Sequence, residues 1–233
     1  MVVTPTEGPA MTLRPLTTGL LALTVVLSGC SAMRVSTNEG DSAPVKVGVG
    51  DGSTSTPTAE SGVGAIPPGM TEQAIDVGQS CPVPIAIAMD DEWSDSTGYD
   101  GYRLFERGPG ALMTVNCYED DDITPADVVK SAQDATFDSA GSQMSSEKTG
   151  QVTGGEYWTF TGTLGPDDMR SIESSESLIY GVAAGVQVEG RQFKVTLEMV
   201  VKSEDQATAD VFATMLPTVR LADESLTPPP GLN

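Results

Sequence analysis

"LIYGVAAGVQVEGRQFKVTLEMVV", Leu178–Val201, decides the fold. Two apolar alternating runs flank Glu189-Gly190, a dipeptide suited to a two-residue hairpin loop. With that loop, Val188 faces Arg191, Val186 faces Phe193, Ala184 faces Val195, Val182 faces Leu197, Tyr180 faces Met199 and Leu178 faces Val201. Nearly every large apolar side chain then lands on one side of both strands. A one-residue slip would send half of them to the other side, so the pattern fixes the register. Opposite them lie Gln192, Lys194, Thr196 and Glu198, facing Gln187 and the small residues Gly185, Ala183 and Gly181. One side is core; the other is solvated or lightly covered.

Further strands extend outward from this hairpin. "VPIAIAM" (Val83–Met89) is a short apolar run. "YRLFE" (Tyr102–Glu106) and "ALMTVNCY" (Ala111–Tyr118) are joined by "RGPG", a turn signal. "EYWTFTGTL" (Glu156–Leu164) alternates, with Trp158 and Phe160 on one side as core residues. Two helices fit. "TPADVVKSAQDATFDSAG" opens with Thr124 as N-cap, Pro125 at the first helical position and Asp127 at the third. "SEDQATADVFATML" offers Ser203 as N-cap with Gln206 as its box partner, an apolar stripe through Ala207, Val211, Phe212, Met215 and Leu216, and Pro217 as terminator. Strands, helix, strands, helix with hairpin connections predict an α+β domain on an antiparallel sheet with two helices.

The aromatic residues of the chain lie between Trp93 and Phe212, which bounds one folded domain at residues 80–222. Residues 223–233 are Pro-rich and read as a disordered tail. Residues 30–79 are dominated by Gly, Ser, Thr and Pro, and bury too little apolar surface to offset their ordering entropy. They read as a tether of about 45 residues with a coil span of roughly 35–40 Å. "GVGDG" (Gly48–Gly52) within it lacks the flanking strand, the helix and the Lys of a phosphate loop, so no cofactor is expected.

Ahead of the tether, "TTGLLALTVVL" (Thr17–Leu27) is an apolar run of signal-peptide length, too short to span a bilayer. Residues 1–29 read as a leader. Met11 opens a better positively charged start than Met1, because Glu7 precedes it and Arg14 follows, so translation is expected to begin there. Leu27-Ser28-Gly29-Cys30 resembles a bacterial lipobox. That resemblance implies a lipoprotein: diacylglycerol on the Cys30 thiol, cleavage just before it, and acylation, such as by palmitate, of the new amino group. Two or three acyl chains anchor stably where one does not. The alternative is an ordinary signal peptide with a chance cysteine.

With Cys30 lipidated, Cys81 and Cys117 remain, and an even pair in an exported chain reads as a disulfide. The absence of histidine excludes a Ser-His-Asp triad, a histidine base and a His-bearing zinc site. No metal site is expected; the acidic run Glu119–Asp122 offers oxygen ligands for calcium without EF-hand spacing. With 12 Lys+Arg against 33 Asp+Glu, the formal net charge is −21, which repels phosphate backbones and excludes nucleic acid as a partner.

A lipobox, a tether and a small α+β domain whose last long strand runs into a terminal helix ("FKVTLEMVVKSEDQATADVFATMLPTVRL") together resemble actinobacterial envelope lipoproteins of the LpqN type. The resemblance spans Val83–Leu221 and implies a PsbP-like fold. It also implies an extracytoplasmic accessory role, at the outer face of the plasma membrane. "DDEWSD" (Asp90–Asp95) only approximates a Gly-Trp segment of such domains. Two function classes follow. One is a non-catalytic, lipid-anchored module that engages an envelope protein or an amphiphile. The other is a glycan-active enzyme built on carboxylates near Trp93, drawn from Asp90, Asp91, Glu92 and Asp95. A surface protein without a specific ligand is a third, lesser reading.

Overall fold

The structure, a computed structural model, describes residues 64–232. The leader, the Met11 start, Cys30 and the first part of the tether lie outside the described residues.

In chain order the strands are β1 (Thr71–Ala74), β2 (Ile85–Met89), β3 (Trp93–Tyr99), β4 (Tyr102–Arg107) and β5 (Ala111–Glu119). Helix α1 (Pro125–Ala135) precedes β6 (Gln143–Val152), β7 (Gly155–Leu164), β8 (Ser177–Val188) and β9 (Arg191–Lys202). Helix α2 (Gln206–Met215) is followed by the short strands β10 (Arg220–Leu221) and β11 (Glu224–Ser225). Seven strands form one antiparallel sheet in the order β3-β4-β5-β9-β8-β7-β6, and a small sheet runs β1-β2-β10-β11. The α+β class with two helices on antiparallel sheets is as the sequence predicts.

The β8–β9 hairpin has the expected register, from Val188 opposite Arg191 to Leu178 opposite Val201. Glu189 and Gly190 turn at φ 52° and 79°, the left-handed pair that a type I′ turn requires. The main core lies on the Val182, Val195, Leu197 and Met199 side, where β2, β10 and Phe212 and Met215 of α2 close over the sheet.

The second side carries its own core rather than solvent. Helix α1 packs on β7 and β8, and Val129 and Ala132 join Trp158, Phe160, Ile179 and Ala183 in a second cluster. The small residues of β8 make this possible: a Cβ on Gly185 would sit 2.5 Å from the Pro125 Cα. Trp158 and Phe160 stack at 4.1 Å between ring centres and are buried. Helix α1 begins as the sequence predicts. Thr124 caps the Asp127 N–H, and the Asp127 carboxylate accepts the Thr124 N–H.

Several boundaries move. Helix α2 is capped by Asp205, whose carboxylate accepts the Thr208 N–H, and not by Ser203; Gln206 instead donates to the Ser203 carbonyl. The ordered fold starts ahead of Ser80, because β1 pairs with β2. It also continues past Ala222, because Leu226 is buried in the main core and β11 pairs with β10. Residues 93–99 form edge strand β3, which the sequence pattern does not predict. Cys81 and Cys117 form a disulfide, with Cα atoms 5.7 Å apart, that ties the segment after β1 to β5.

Candidate functional site

Helix α1 lies mainly over β7 and β8 and reaches only the near part of β9, so the same face of β5 and β4 stays open. The register lines up its side chains in rows. Leu104 lies beside Thr114 and Thr114 beside Glu198; in the next row Leu112 lies beside Val200. Leu104, Leu112, Thr114 and Glu198 are half-buried, as expected for a floor with nothing packed fully over it, while Val200 is buried where the floor meets the second cluster under α1. The loop between β7 and β8 forms one wall, bringing Met169, Arg170 and Ile172 over the floor. The resulting groove encloses about 520 Å³, within the range of roughly 300–1,000 Å³ typical of small-ligand sites. Tyr102 lines one end and stacks on the exposed Tyr99 at 4.9 Å between ring centres. Burial, and then the neighbouring Tyr99, push the Tyr102 phenol pKa up. Met169 is 96% exposed at the rim, an adaptable apolar side chain with nothing packed on it.

The polar wall is a fixed triad. The Arg170 Nε donates to Asp168 at 3.0 Å and its Nη2 at 2.9 Å, a two-pronged pair. Nη2 also donates to the Thr136 carbonyl just past α1, and Nη1 donates to Glu198 at 3.2 Å. Hydrogen bonding from Arg170 holds the buried Asp168 carboxyl at a pKa of about 2. Burial pushes the Glu198 pKa up, against the pull of Arg170. The guanidinium thus fastens the loop to α1 and to β9 at once, and it has little donor capacity left for a ligand. The triad shapes the groove and positions its wall; it holds no nucleophile paired with a base.

Three of the carboxylates expected near Trp93 share one concavity, and one of these three is neutralised by Arg107. Asp90 and Glu92 both pair with Arg107, at 3.0 and 2.9 Å. Asp90, Asp91 and Asp95 line one concavity of about 500 Å³ with Trp93 and Phe105, and Glu92 is not among its lining residues. The Trp93 ring stacks on Phe212 of α2 at 5.7 Å, so its face is engaged inside the protein. Of the acidic run, Glu119 pairs with Arg191 at 2.7 Å and Asp121 accepts the Gln192 N–H, which commits both to the β9 end. Among the described residues, no group of three or more Asp, Glu or Cys is placed to hold a metal ion.

The groove residues were not singled out by sequence. Leu112 and Val200 carry the one available signal: they are apolar in the "off" register of strands whose "on" register is already core, which marks a sheet with cover on both faces. Arg170 sits in an irregular loop and carries no such signal.

No protein-family model and no curated protein matches the sequence. Among solved structures, the chain is similar to LpqN of Mycobacterium tuberculosis, described as involved in cell envelope biogenesis. The TM-score is 0.50 with 15% identity, over 65% of this chain and 91% of that one. It also matches the Ran-binding protein Mog1p of Saccharomyces cerevisiae, with a TM-score of 0.38 and 11% identity over 61% of this chain and 84% of that one. At these identities what is shared is architecture, and the chain has an LpqN-like fold.

Proposed function

We propose that this protein is a cell-envelope lipoprotein, held at the outer face of the plasma membrane by lipid on Cys30. Its groove binds the apolar part of an envelope amphiphile or protein and does not turn it over. The observation that carries this reading is the open floor of Leu104 and Leu112 beside a rigid Arg170 wall. An apolar floor left half-covered gains most from a ligand that removes it from water, at about 25 cal/mol per Å². The role in envelope biogenesis stated for LpqN, and the lipobox at Leu27–Cys30, support the location.

A photo-crosslinking side chain at Leu112, in protein expressed in its native membrane, tests the reading. A discrete adduct is expected, absent when the same group is placed on exposed Lys130. Uniform labelling at both positions overturns the groove assignment. For anchoring, Cys30→Ser is expected to release the protein from membranes and leave unprocessed precursor. Hydrolysis of an envelope polysaccharide, abolished by Asp95→Asn or Glu92→Gln, overturns the non-catalytic reading.

A further inference from the structure

Residues 226–232 lie across the main-core face of β7 and β6, on the side of the sheet opposite the groove. The Thr227 N–H donates to the Tyr157 hydroxyl at 2.9 Å, and the Thr159 hydroxyl donates to the Thr227 carbonyl at 2.9 Å. The Ser146 hydroxyl donates to the Pro230 carbonyl at 3.2 Å. Leu226, Pro228 and Pro229 are buried, and Leu232 packs against the main core. Pro228-Pro229-Pro230 has no N–H to lose and a preset φ, so the segment surrenders little entropy on docking. The receptor side chains accept and donate to an extended backbone and fill with prolines, which is peptide recognition carried out within one chain.

The approach to this segment is strained. Ala222 and Asp223 join β10 to β11 at φ 51° and 64°. Aspartate tolerates that region, but alanine there is strained because its Cβ crowds the following carbonyl. The β10–β11 ladder spans only two residue pairs, and the Arg220 side chain donates from Nη2 to the Asp223 carbonyl at 2.7 Å across the turn.

We propose that residues 224–232 are an exchangeable strap. The face bearing Tyr157, Thr159 and Ser146 is a binding site for an extended proline-rich segment, filled here by the chain's own. Opening the Ala222–Asp223 turn lets the strap of a second copy fill it reciprocally. Both copies then keep every strap contact and lose the turn strain, and the two-fold arrangement closes on itself. The cost is association, so the exchange rises with protein concentration. This inference does not rest on the groove.

The full chain carrying Cys30→Ser, sized by light scattering across a wide concentration range, tests it. Ala222→Gly relieves the turn and is expected to lower the dimerisation constant about tenfold. Ala222→Pro cannot adopt the turn and is expected to shift the folded protein to dimer. A second measurement stands independently of that variant. A chain ending at Asp223 keeps the receptor; a full-length Tyr157→Phe, Thr159→Ala chain keeps the strap. The mixture is expected to form a one-to-one complex, which a Pro228→Asp, Pro229→Asp strap prevents. Absence of that complex, or a mass unchanged by every substitution at Ala222, overturns the proposal.

Discussion

The Nη1 of Arg170 reaches Glu198 at 3.2 Å while the other edge of the same guanidinium holds Asp168, so one side chain from a loop joins a buried acid to the floor of the groove. The two carboxyls answer pH in opposite senses. Asp168, held at about 2 against an ordinary 3.8, contributes stability that is present above its unfolded value and is lost as pH falls through 2. Glu198, with its pKa raised, favours the protonated folded form and so works against that loss.

Asp168→Asn is therefore expected to lower stability near neutral pH by up to about 2 kcal/mol, and to flatten the fall between roughly pH 4 and pH 2. Urea midpoints across that range measure it. An unchanged acid profile would assign the acid sensitivity to other carboxylates.

Leu112→Ser removes apolar floor without touching the main core. It is expected to weaken capture of an apolar ligand by about tenfold, equivalent to about 1.4 kcal/mol, with melting temperature shifted only slightly. Fluorescence titration with a soluble alkyl amphiphile reads the first effect and calorimetry the second.

Gly185→Val drives a branched side chain into the Pro125 backbone. Overpacking of this kind is expected to destabilise by about 1–3 kcal/mol, and to loosen α1 first. Faster amide hydrogen exchange in Val128–Ala132 than in β9 would show the order of loss.

The Cys81–Cys117 bond closes a loop of sequence separation 36, worth about 4 kcal/mol on the loop-entropy account. Cys117→Ser is expected to lower the denaturant midpoint accordingly. Denatured, unreduced Cys30→Ser protein should titrate with no free thiol.

How far the sequence carried the fold depended on whether an element has a face to bury. The β8–β9 hairpin was legible to the residue pair because its apolar side chains permit one register. Strand β6, "QMSSEKTGQV", was not, because only Val152 is buried in it; backbone pairing to β7 alone makes it a strand. Strand β3 hid for the same reason, with Trp93 its one substantially covered residue. The strap reads as a disordered tail in the sequence because polar and Pro-rich composition says nothing about a receptor waiting elsewhere in the chain. The groove was the least legible part. Its floor is written in alternate positions of β5 and β9, but its opening exists only because α1 stops short of β5.

The disulfide also sets a mechanical path. A pull applied from the N-terminal side first meets β1, whose four residue pairs with β2 can unzip one by one. Beyond Cys81 the load passes through a covalent bond directly to Cys117 on β5, deep in the seven-stranded sheet. β2, β3 and β4 lie between the two cysteines in the chain and are bypassed. Tension on the tether side therefore bypasses Leu104 on β4 and enters the groove floor directly through β5, the strand that carries Leu112 and Thr114.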